Sequence, residues 1–274
     1  TITGDVFNVF VFMEISSLSS YILIALGQRR RAMMAAYSYL IMGTIGATFL
    51  LIGIGLMYQM TGTLNMVDMA ERLQKVNETR TILVAVAFVV VGISTKLAVF
   101  PLHQWLPNAY SEAPPIVSAF LASTATKVAY YLLLRFTLGV FGAALIFERI
   151  GIDTLLLPFS ILAMFVGTLA AIYQTDFKRL LAYSSIAQIG YMTLGFSLAT
   201  EAGVTAGLIH VFNHALMKGA LFLVAACVAW RMGSTKIAVM RGLGQRMPIT
   251  MAALVAAGLA LIGVPGTVGF VSKW

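Results

Sequence analysis

Long apolar runs constrain this chain more than any other feature of its sequence. Eight can be marked, and each comes near the ~20 residues that a helix needs to cross a bilayer. They cover approximately Val6–Leu26, Tyr37–Met60, Thr81–Phe100, Pro115–Phe141, Thr154–Gln174, Leu180–Ala199, Val204–Trp230 and Thr250 to the end of the sequence. The strands of a membrane β-barrel are about half as long and alternate in polarity, which these runs do not. The sequence therefore predicts an all-α, polytopic membrane protein, with residues 1–274 forming a single transmembrane domain.

The composition excludes the soluble classes of protein. Hydrophobic residues make up 60% of the chain and charged residues 10%, against roughly 45–50% and roughly 25% in ordinary globular proteins. The formal net charge is +8, but the basic residues lie mainly in loops rather than beside aromatic residues on one face. This arrangement favours membrane topology and argues against a nucleic-acid partner. The single cysteine, Cys227, lies in an apolar run, so the sequence offers no intrachain disulfide and no cysteine metal cluster.

The loop charges predict the orientation of the chain. Loops after the odd-numbered runs hold Arg29, Arg30, Arg31, Lys178, Arg179, Arg231, Lys236, Arg241 and Arg246. Loops after the even-numbered runs hold Arg72, Lys75, Arg80 and Arg149, diluted by Asp68, Glu71, Glu78, Glu148 and Glu201. The positive-inside rule then places Thr1 outside and the arginine loop at Arg29 in the cytoplasm, in what we expect to be a bacterial cell membrane. The loop after the third run is the exception, since it has only His103 and Glu112.

The chain is expected to be a segment of a longer protein, cut at both ends. It begins with Thr1 rather than a methionine, and it stops at Trp274, one residue after a lysine inside an apolar pattern.

A short list of ionisable residues lies within the apolar runs. Its members are Glu14, Lys96, Lys127, His210, His214, Lys218 and Lys273. A charged group at the middle of a span costs about 2.5–3.5 kcal/mol on insertion scales, and such groups usually mark ion or proton paths. Snorkelling to the interface could account for Lys96 and Lys218, which lie near span ends, but not for Glu14 and Lys127. The list therefore favours a proton path.

The chemistry of these residue types fits proton transfer. Burial disfavours a charged lysine and a nearby carboxylate favours it, so a Lys that faces a Glu can change charge when its partner moves. His210, His214 and Lys218 are spaced i, i+4, i+8 and share one helix face. The alternatives for the two histidines are a zinc site, which lacks a third ligand nearby, and a hydrogen-bonded packing role. We predict a relay with no metal and no cofactor, since no nucleotide loop or haem-binding pair of histidines is present.

Two of the runs are interrupted by helix-breaking residues, and each interruption has a lysine beside it. Pro101 follows Lys96 by five residues, and Pro265 and Gly266 precede Lys273. Irregular backbone at membrane depth is tolerated only where it is buried in protein or lines a wet cavity. The paired interruptions therefore point to the transport path, although either one alone could be an ordinary packing kink.

At these residues the sequence resembles a known family, the antiporter-like subunits shared by respiratory complex I and the Mrp-type multisubunit Na⁺/H⁺ antiporters. The matching stretches are GDVFNVFVFMEISSLSSYILIAL at 4–26, STKLAVFPLHQWLPNAYSEAPP and ATKVAYYLLLR within 94–135, DFKRLLAYSSIAQIGYM at 176–192, HVFNHALMKGALFL at 210–223 and GVPGTVGFVSKW at 263–274. The first stretch and TGTLNM at 61–66 look most like the Mrp D-type protein. The resemblance implies a fold of about fourteen helices with two inverted five-helix repeats, of which this segment resembles the fifth to the twelfth helix.

The resemblance also implies roles for individual residues. Glu14 matches the family's essential glutamate, Lys96 its paired lysine, Lys127 its connecting lysine, and Lys273 the lysine of the second broken helix. The linking helix of the family corresponds to the stretch with His210, His214 and Lys218. The family often has two prolines where this chain has Pro265 and Gly266, which is a departure from its pattern.

We therefore expect a proton-translocating subunit of a multisubunit cation/proton antiporter, with no redox chemistry of its own. Its partners would be other membrane subunits and the lipid bilayer, and its cargo protons, with Na⁺ as a second candidate. One alternative is a pump subunit of complex I or of a hydrogenase-linked complex, where redox energy drives the same path. The other is a structural subunit whose buried lysines only dock partners.

Overall fold

The computed structural model describes residues 2–27, 29–76 and 80–273, and almost all of them are helical. Asn77 and Glu78, in the second loop, and Trp274 lie outside the described residues. The α-helices are α1 Val6–Ala25, α2 Arg30–Thr61, α3 Met66–Lys75, α4 Arg80–Leu97, α5 Trp105–Glu112, α6 Pro115–Leu134, α7 Ile152–Ile172, α8 Phe177–Ser197, α9 Glu201–Met232, α10 Leu243–Arg246, α11 Pro248–Ile262 and α12 Val268–Lys273. Two π-helical turns, Arg135–Phe141 and Ala144–Arg149, follow α6, and a 3₁₀ turn, Ile237–Met240, follows α9.

The prediction of an all-α, polytopic membrane fold is confirmed. Among the described residues, six helical segments are long and apolar enough to cross a membrane: α1, α2, α4, α6 with its first π-helical turn, α7 and α9. The other two predicted runs are also helical. One is α8, which has 21 residues, and the other is α11, which has 15 and is followed by an interruption before α12.

The interrupted third run corrects the prediction for the loop that follows it. α4 stops at Leu97, Ala98 takes a left-handed conformation with φ 62°, and the chain is irregular until α5 starts at Trp105. The carbonyl of Glu112 lies against Gly27, so close that a Cβ on that glycine would be 2.8 Å from it. The end of α5 is therefore on the face of the arginine loop, and α4 and α5 together make one crossing.

This geometry explains why the connection after the third apolar run lacks the arginines and lysines found in the other loops on its face. His103 lies inside the interrupted span, and the true connection to α6 is only Ala113 and Pro114. The basic residue at this corner comes from elsewhere in the chain, because Lys178 Nζ donates to the carbonyl oxygen of Ala113 over 2.6 Å. The third connection is poor in arginine and lysine because it is two residues long.

Two parts of the chain repeat the same arrangement with a constant shift of 171 residues. Asp5 caps α1 and bridges to Asn65, and Asp176 caps α8 and bridges to Lys236 in the same antiparallel manner. The long helix of each copy also matches, since α2 and α9 both have 32 residues and end at a left-handed glycine. α1 begins beside α3, whereas α8 begins at the arginine-loop face. The copies therefore run in opposite directions through the molecule.

α2 and α4 pack closely enough to fix the position of Lys96. Gly92 of α4 lies directly against the backbone of α2, where a Cβ would come within 2.6 Å of the Gly46 carbonyl. Small residues allow this approach between membrane helices, which gain little from burying apolar surface away from lipid. The last turn of α4 is thereby held against the middle of α2.

The orientation can be tested with single cysteines in a Cys227→Ser background, since Cys227 is exposed. Arg30, Lys236 and Lys75 are all exposed, the first two on the arginine-loop face and the third at the end of α3. A membrane-impermeant thiol reagent should label cysteines at Arg30 and Lys236 only from the cytoplasmic side, and a cysteine at Lys75 only from the opposite side. Labelling of Arg30→Cys or Lys236→Cys from the outside would reverse the topology.

Candidate functional site

Lys96 lies in the last turn of α4, where the helix ends at membrane depth. The interruption leaves backbone carbonyls without their helical donors, and these find other partners. Trp105 Nε1 donates to the Thr95 carbonyl over 2.9 Å, and the Val99 amide donates to the Ser94 carbonyl over 3.0 Å. The Trp105 ring is stacked on Tyr39 with 4.0 Å between centroids and 7° between planes. The interruption is therefore rigidly supported on both sides of Lys96.

Glu14 and Lys96 form an ion pair between α1 and α4. Lys96 Nζ lies 2.9 Å from Glu14 Oε1, 2.5 Å from Ser17 Oγ and 3.5 Å from Tyr21 Oη. The side chain of Lys96 is 5% exposed and that of Glu14 is 23% exposed. This geometry removes the snorkelling interpretation for Lys96, because its buried ammonium group points to the half-buried carboxylate of Glu14 and not to an interface.

Lys96 of the ion pair lines a cavity of about 280 Å³ between α1 and α6. Most of its walls are apolar, but Ser16, Ser17, Ser20 and Thr124 bring hydroxyl groups to it beside Lys96. Hydroxyl groups can both donate and accept hydrogen bonds, so the cavity can hold water next to the ammonium group.

Lys127 lies on α6 and is 7% exposed. Its ammonium group donates to the Ala122 carbonyl and lies 3.3 Å from Thr126 Oγ1. No carboxylate of the described residues is within salt-bridge distance of Lys127. It interacts electrostatically with His214 and Lys218 on α9, which packs against α6.

The three predicted residues of α9 share one buried face. His210, His214 and Lys218 are 2%, 0% and 0% exposed. The two imidazole rings are parallel, with centroids 5.9 Å apart and planes within 2°. Lys218 Nζ donates to the Leu181 carbonyl over 2.8 Å and to Ser184 Oγ over 2.5 Å, which ties α9 to α8.

The two histidines differ in their hydrogen bonds. His210 Nδ1 is 2.9 Å from Ser272 Oγ, and its Nε2 is 2.9 Å from Gln188 Oε1. Neither nitrogen of His214 has a hydrogen-bond partner among the described residues, although both are fully buried. Within the part of the chain that the structure describes, no third His, Cys, Asp or Glu joins them as a metal-binding group.

Lys273 lies on α12, directly after the second interruption. Its Nζ donates to the Leu261 carbonyl over 2.6 Å and lies 4.6 Å from the centroid of the Tyr191 ring. Gly266 has φ 86°, which the fixed ring of a proline does not allow. The departure from a Pro-Pro pattern at Pro265 and Gly266 therefore has a structural reason.

The predicted residues form a row from one end of the described bundle to the other. It runs from α1 and α4 through α6 to α9 and α12, and each of these helices packs against the next. The acid of the row is Glu14 at one end, and all the other members are bases. A proton added to one base raises the cost of a charge on its neighbours, so such a row can pass a charge along.

Several neighbours of these residues were not predicted from the sequence. Tyr21, Ser184, Gln188, Tyr191 and Ser272 each contact a predicted lysine or histidine. Lys178 was counted as a loop charge, but it lies in the first turn of α8 and is 4% exposed. Asp176 is a typical N-cap residue and could have indicated that Lys178 belongs to a helix.

Comparison with known proteins places this arrangement in a wider group. The family model described as "NADH:quinone oxidoreductase/Mrp antiporter, TM" matches residues 3–274. A protein named NADH-quinone oxidoreductase subunit N from Desulforudis audaxviator is 45% identical over 99% of this chain and 54% of its own length. The D subunit of a Na(+)/H(+) antiporter from Alkalihalophilus pseudofirmus is 35% identical over 100% of this chain and 55% of its own length. In the solved Mrp complex from Dietzia sp. DQ12-45-1b, one chain is 31% identical with a TM-score of 0.90, over 99% of this chain and 50% of that chain.

Two points follow from these comparisons. The chain spans about half the length of the relatives it matches. The comparisons do not specifically support the expected likeness to the Mrp D-type protein. The relative named NADH-quinone oxidoreductase subunit N is more similar to this chain in sequence than the antiporter D subunit is.

The support of the first interruption can be tested at Trp105. Trp105→Phe keeps the stack on Tyr39 and removes the N–H group that binds the Thr95 carbonyl. A buried acceptor without its donor costs about 1–3 kcal/mol, so the free energy of unfolding and the denaturation temperature of the purified protein should fall. Trp230→Phe is the matched control, since Trp230 is 92% exposed. Equal denaturation temperatures for the two variants would show that the indole bond does not support the interruption.

Proposed function

The chain belongs to the NADH:quinone oxidoreductase/Mrp antiporter transmembrane family, and we propose that it moves protons across a membrane as one subunit of a multisubunit complex. The observation that carries the proposal is the buried row that begins at the Glu14–Lys96 ion pair and continues through bases alone. Lipid-facing or purely structural helices do not need ionisable side chains at seven positions along one row.

The proposed path has an entry at the ion pair. Water in the cavity between α1 and α6 would deliver a proton to Glu14 or Lys96, and a change in their pairing would alter the charge felt by Lys127. Lys127 would then exchange a proton with the α9 residues His214 and Lys218, with which it interacts electrostatically. Protons would leave near Lys273, beside the second interruption.

Lys127 is the best place to test whether the row conducts. Lys127→Met keeps the length of the side chain and removes the proton, so the proton flux should fall by about 10²-fold or more, as when a positioned acid or base is lost. Lys127→Arg keeps a charge but cannot release a proton at accessible pH, because the guanidinium pKa exceeds ~12. It should be nearly as damaging. The assay is proton flux in vesicles, normalised to the amount of assembled complex.

Lys178 provides a matched control for this comparison. It is also a buried lysine that donates to a backbone carbonyl, but it lies at the corner between α5 and α6, away from the row. We expect Lys178→Arg to be tolerated and Lys178→Met to reduce assembly. Near wild-type flux in Lys127→Arg would remove Lys127 from the path and favour the structural alternative.

Two kinds of complex could contain such a subunit. The chain is 45% identical to the relative named NADH-quinone oxidoreductase subunit N and 35% identical to the antiporter D subunit. This difference favours a complex in which electron transfer in other subunits drives proton movement. The TGTLNM stretch and the TM-score of 0.90 against the Mrp complex favour the second candidate, a D-like component of a cation/proton antiporter. In both, the other membrane subunits are the partners and the site residues above carry the protons.

The driving force separates these candidates. In vesicles that contain the complete complex, we expect proton movement to require an electron donor linked to quinone and to stop when that donor is withheld. Exchange of Na⁺ for protons driven by a pH difference alone would instead identify the antiporter. If neither condition moves protons through an assembled complex, the proton-transport proposal fails.

A further inference from the structure

The contacts of His210 indicate which of its nitrogens carries the proton. The side chain of Gln188 places its amide oxygen, Oε1, 2.9 Å from Nε2 of His210, and because an amide oxygen only accepts, this placement makes Nε2 the donor. In the neutral ring Nδ1 is then an acceptor, and the Ser272 hydroxyl donates to it, also over 2.9 Å. His210 is 2% exposed and Gln188 is 6% exposed, so water does not compete freely for these bonds.

We propose that Gln188 is a positioning residue that fixes His210 in its Nε2–H form, so that His210 takes up and releases protons at Nδ1 alone, beside Ser272. This inference deepens the proposed function and rests on it. It assigns His210 a one-sided role, in place of a relay in which the proton enters one ring nitrogen and leaves by the other.

The proton balance at this site can be written from the contacts. When a proton reaches Nδ1, the Ser272 hydroxyl turns away from the ring and donates to the Gly269 carbonyl, which lies 3.4 Å away. Ser272 Oγ then accepts the new Nδ1–H bond. On release the two changes reverse. The Nε2 proton stays in place throughout, because the amide oxygen of Gln188 is too weak a base to remove it.

His214 differs from His210 in the property that matters here. Neither of its nitrogens has a partner among the described residues, so no hydrogen bond to them fixes which nitrogen carries the proton. The two parallel rings are too far apart, at 5.9 Å between centroids, to share a hydrogen bond face to face. The two histidines therefore differ: the contacts with Gln188 and Ser272 fix the tautomer of His210, and no hydrogen bond among the described residues fixes that of His214.

The groups that face His210 explain what a held charge does. His214 is on the same helix, Tyr191 is 6.2 Å away between ring centroids on α8, and Lys127 and Lys273 act on it electrostatically from α6 and α12. A positive charge on His210 disfavours a positive charge on Lys273. Protonation of His210 at Nδ1, beside Ser272 of α12, therefore favours proton release from Lys273 on the same helix.

The tautomer of His210 can be read directly by ¹⁵N-histidine solid-state NMR of the assembled complex. The His210 signals are assigned from the difference between the wild type and His210→Asn. We expect Nε2 to be protonated in the neutral wild-type ring, and both tautomers to be populated in Gln188→Met. Gln188→Glu keeps an accepting oxygen and is expected to restore the Nε2–H form. Gln174→Met, which removes a half-buried glutamine far from the site, is the control and should leave the spectrum unchanged.

If the Gln188 variants do not assemble, Ser272→Ala still tests the inference. It removes the donor to Nδ1 but leaves Gln188, so the Nε2–H form should persist. An Nδ1–H form in the wild type, an unchanged tautomer in Gln188→Met, or a tautomer change in Ser272→Ala would each overturn the inference. Because the tautomer is measured without any proton flux, these outcomes are separate from failure of the proposed transport function.

Discussion

A lysine buried at membrane depth needs acceptors for its N–H groups, and the kind of acceptor decides whether the lysine can change charge. Lys96 faces the carboxylate of Glu14, which stabilises the ammonium form. Lys127, Lys218 and Lys273 instead donate to the backbone carbonyls of Ala122, Leu181 and Leu261. A carbonyl also accepts a hydrogen bond from a neutral amine, so these three lysines can lose a proton without losing their anchor. The carboxylate therefore favours the charged form of Lys96 while Glu14 stays paired with it, and the other three lysines have no such partner among the described residues.

The helix interruptions supply part of what this arrangement requires. The last carbonyls of a helix have no donors within the helix, and Leu261 is the penultimate residue of α11, so its carbonyl is available to Lys273. At the first interruption the indole of Trp105 takes the Thr95 carbonyl. The acceptor for Lys96 is then the carboxylate of Glu14 on α1. For Lys96 and Lys273, the interruption beside each therefore influences whether a carboxylate or a backbone carbonyl is the acceptor.

Much of the fold, and the placement of the candidate site residues within its helices, could be predicted from the sequence, because long apolar runs and rare charges within them are visible in single letters. The acceptors could not be predicted, because backbone carbonyls are not marked by any residue type. The same limit explains the error at Lys178, whose partner is the Ala113 carbonyl. The third loop was placed wrongly because Pro101 indicates that a helix stops, but not that the chain resumes a helix at Trp105 and completes the same crossing.

The two shifted copies of the fold show how one scaffold holds two kinds of chemistry. With the shift of 171 residues that relates Asp5 to Asp176, Glu14 corresponds to Ser185, so the second copy lacks the acid. Other positions of the first site correspond as well: Ser17 with Gln188, Tyr39 with His210, and Gly43 with His214. Around Lys96 these positions leave room for a fixed ion pair, since a Cβ at Gly43 would come within 1.9 Å of Tyr21 Oη. Near Lys273 the same positions hold imidazole groups, which can accept a second ring proton and release it again. The two ends of the row therefore differ, because Glu14 favours a charged Lys96 while it is paired with it, whereas the bases at the other end have no carboxylate partner among the described residues.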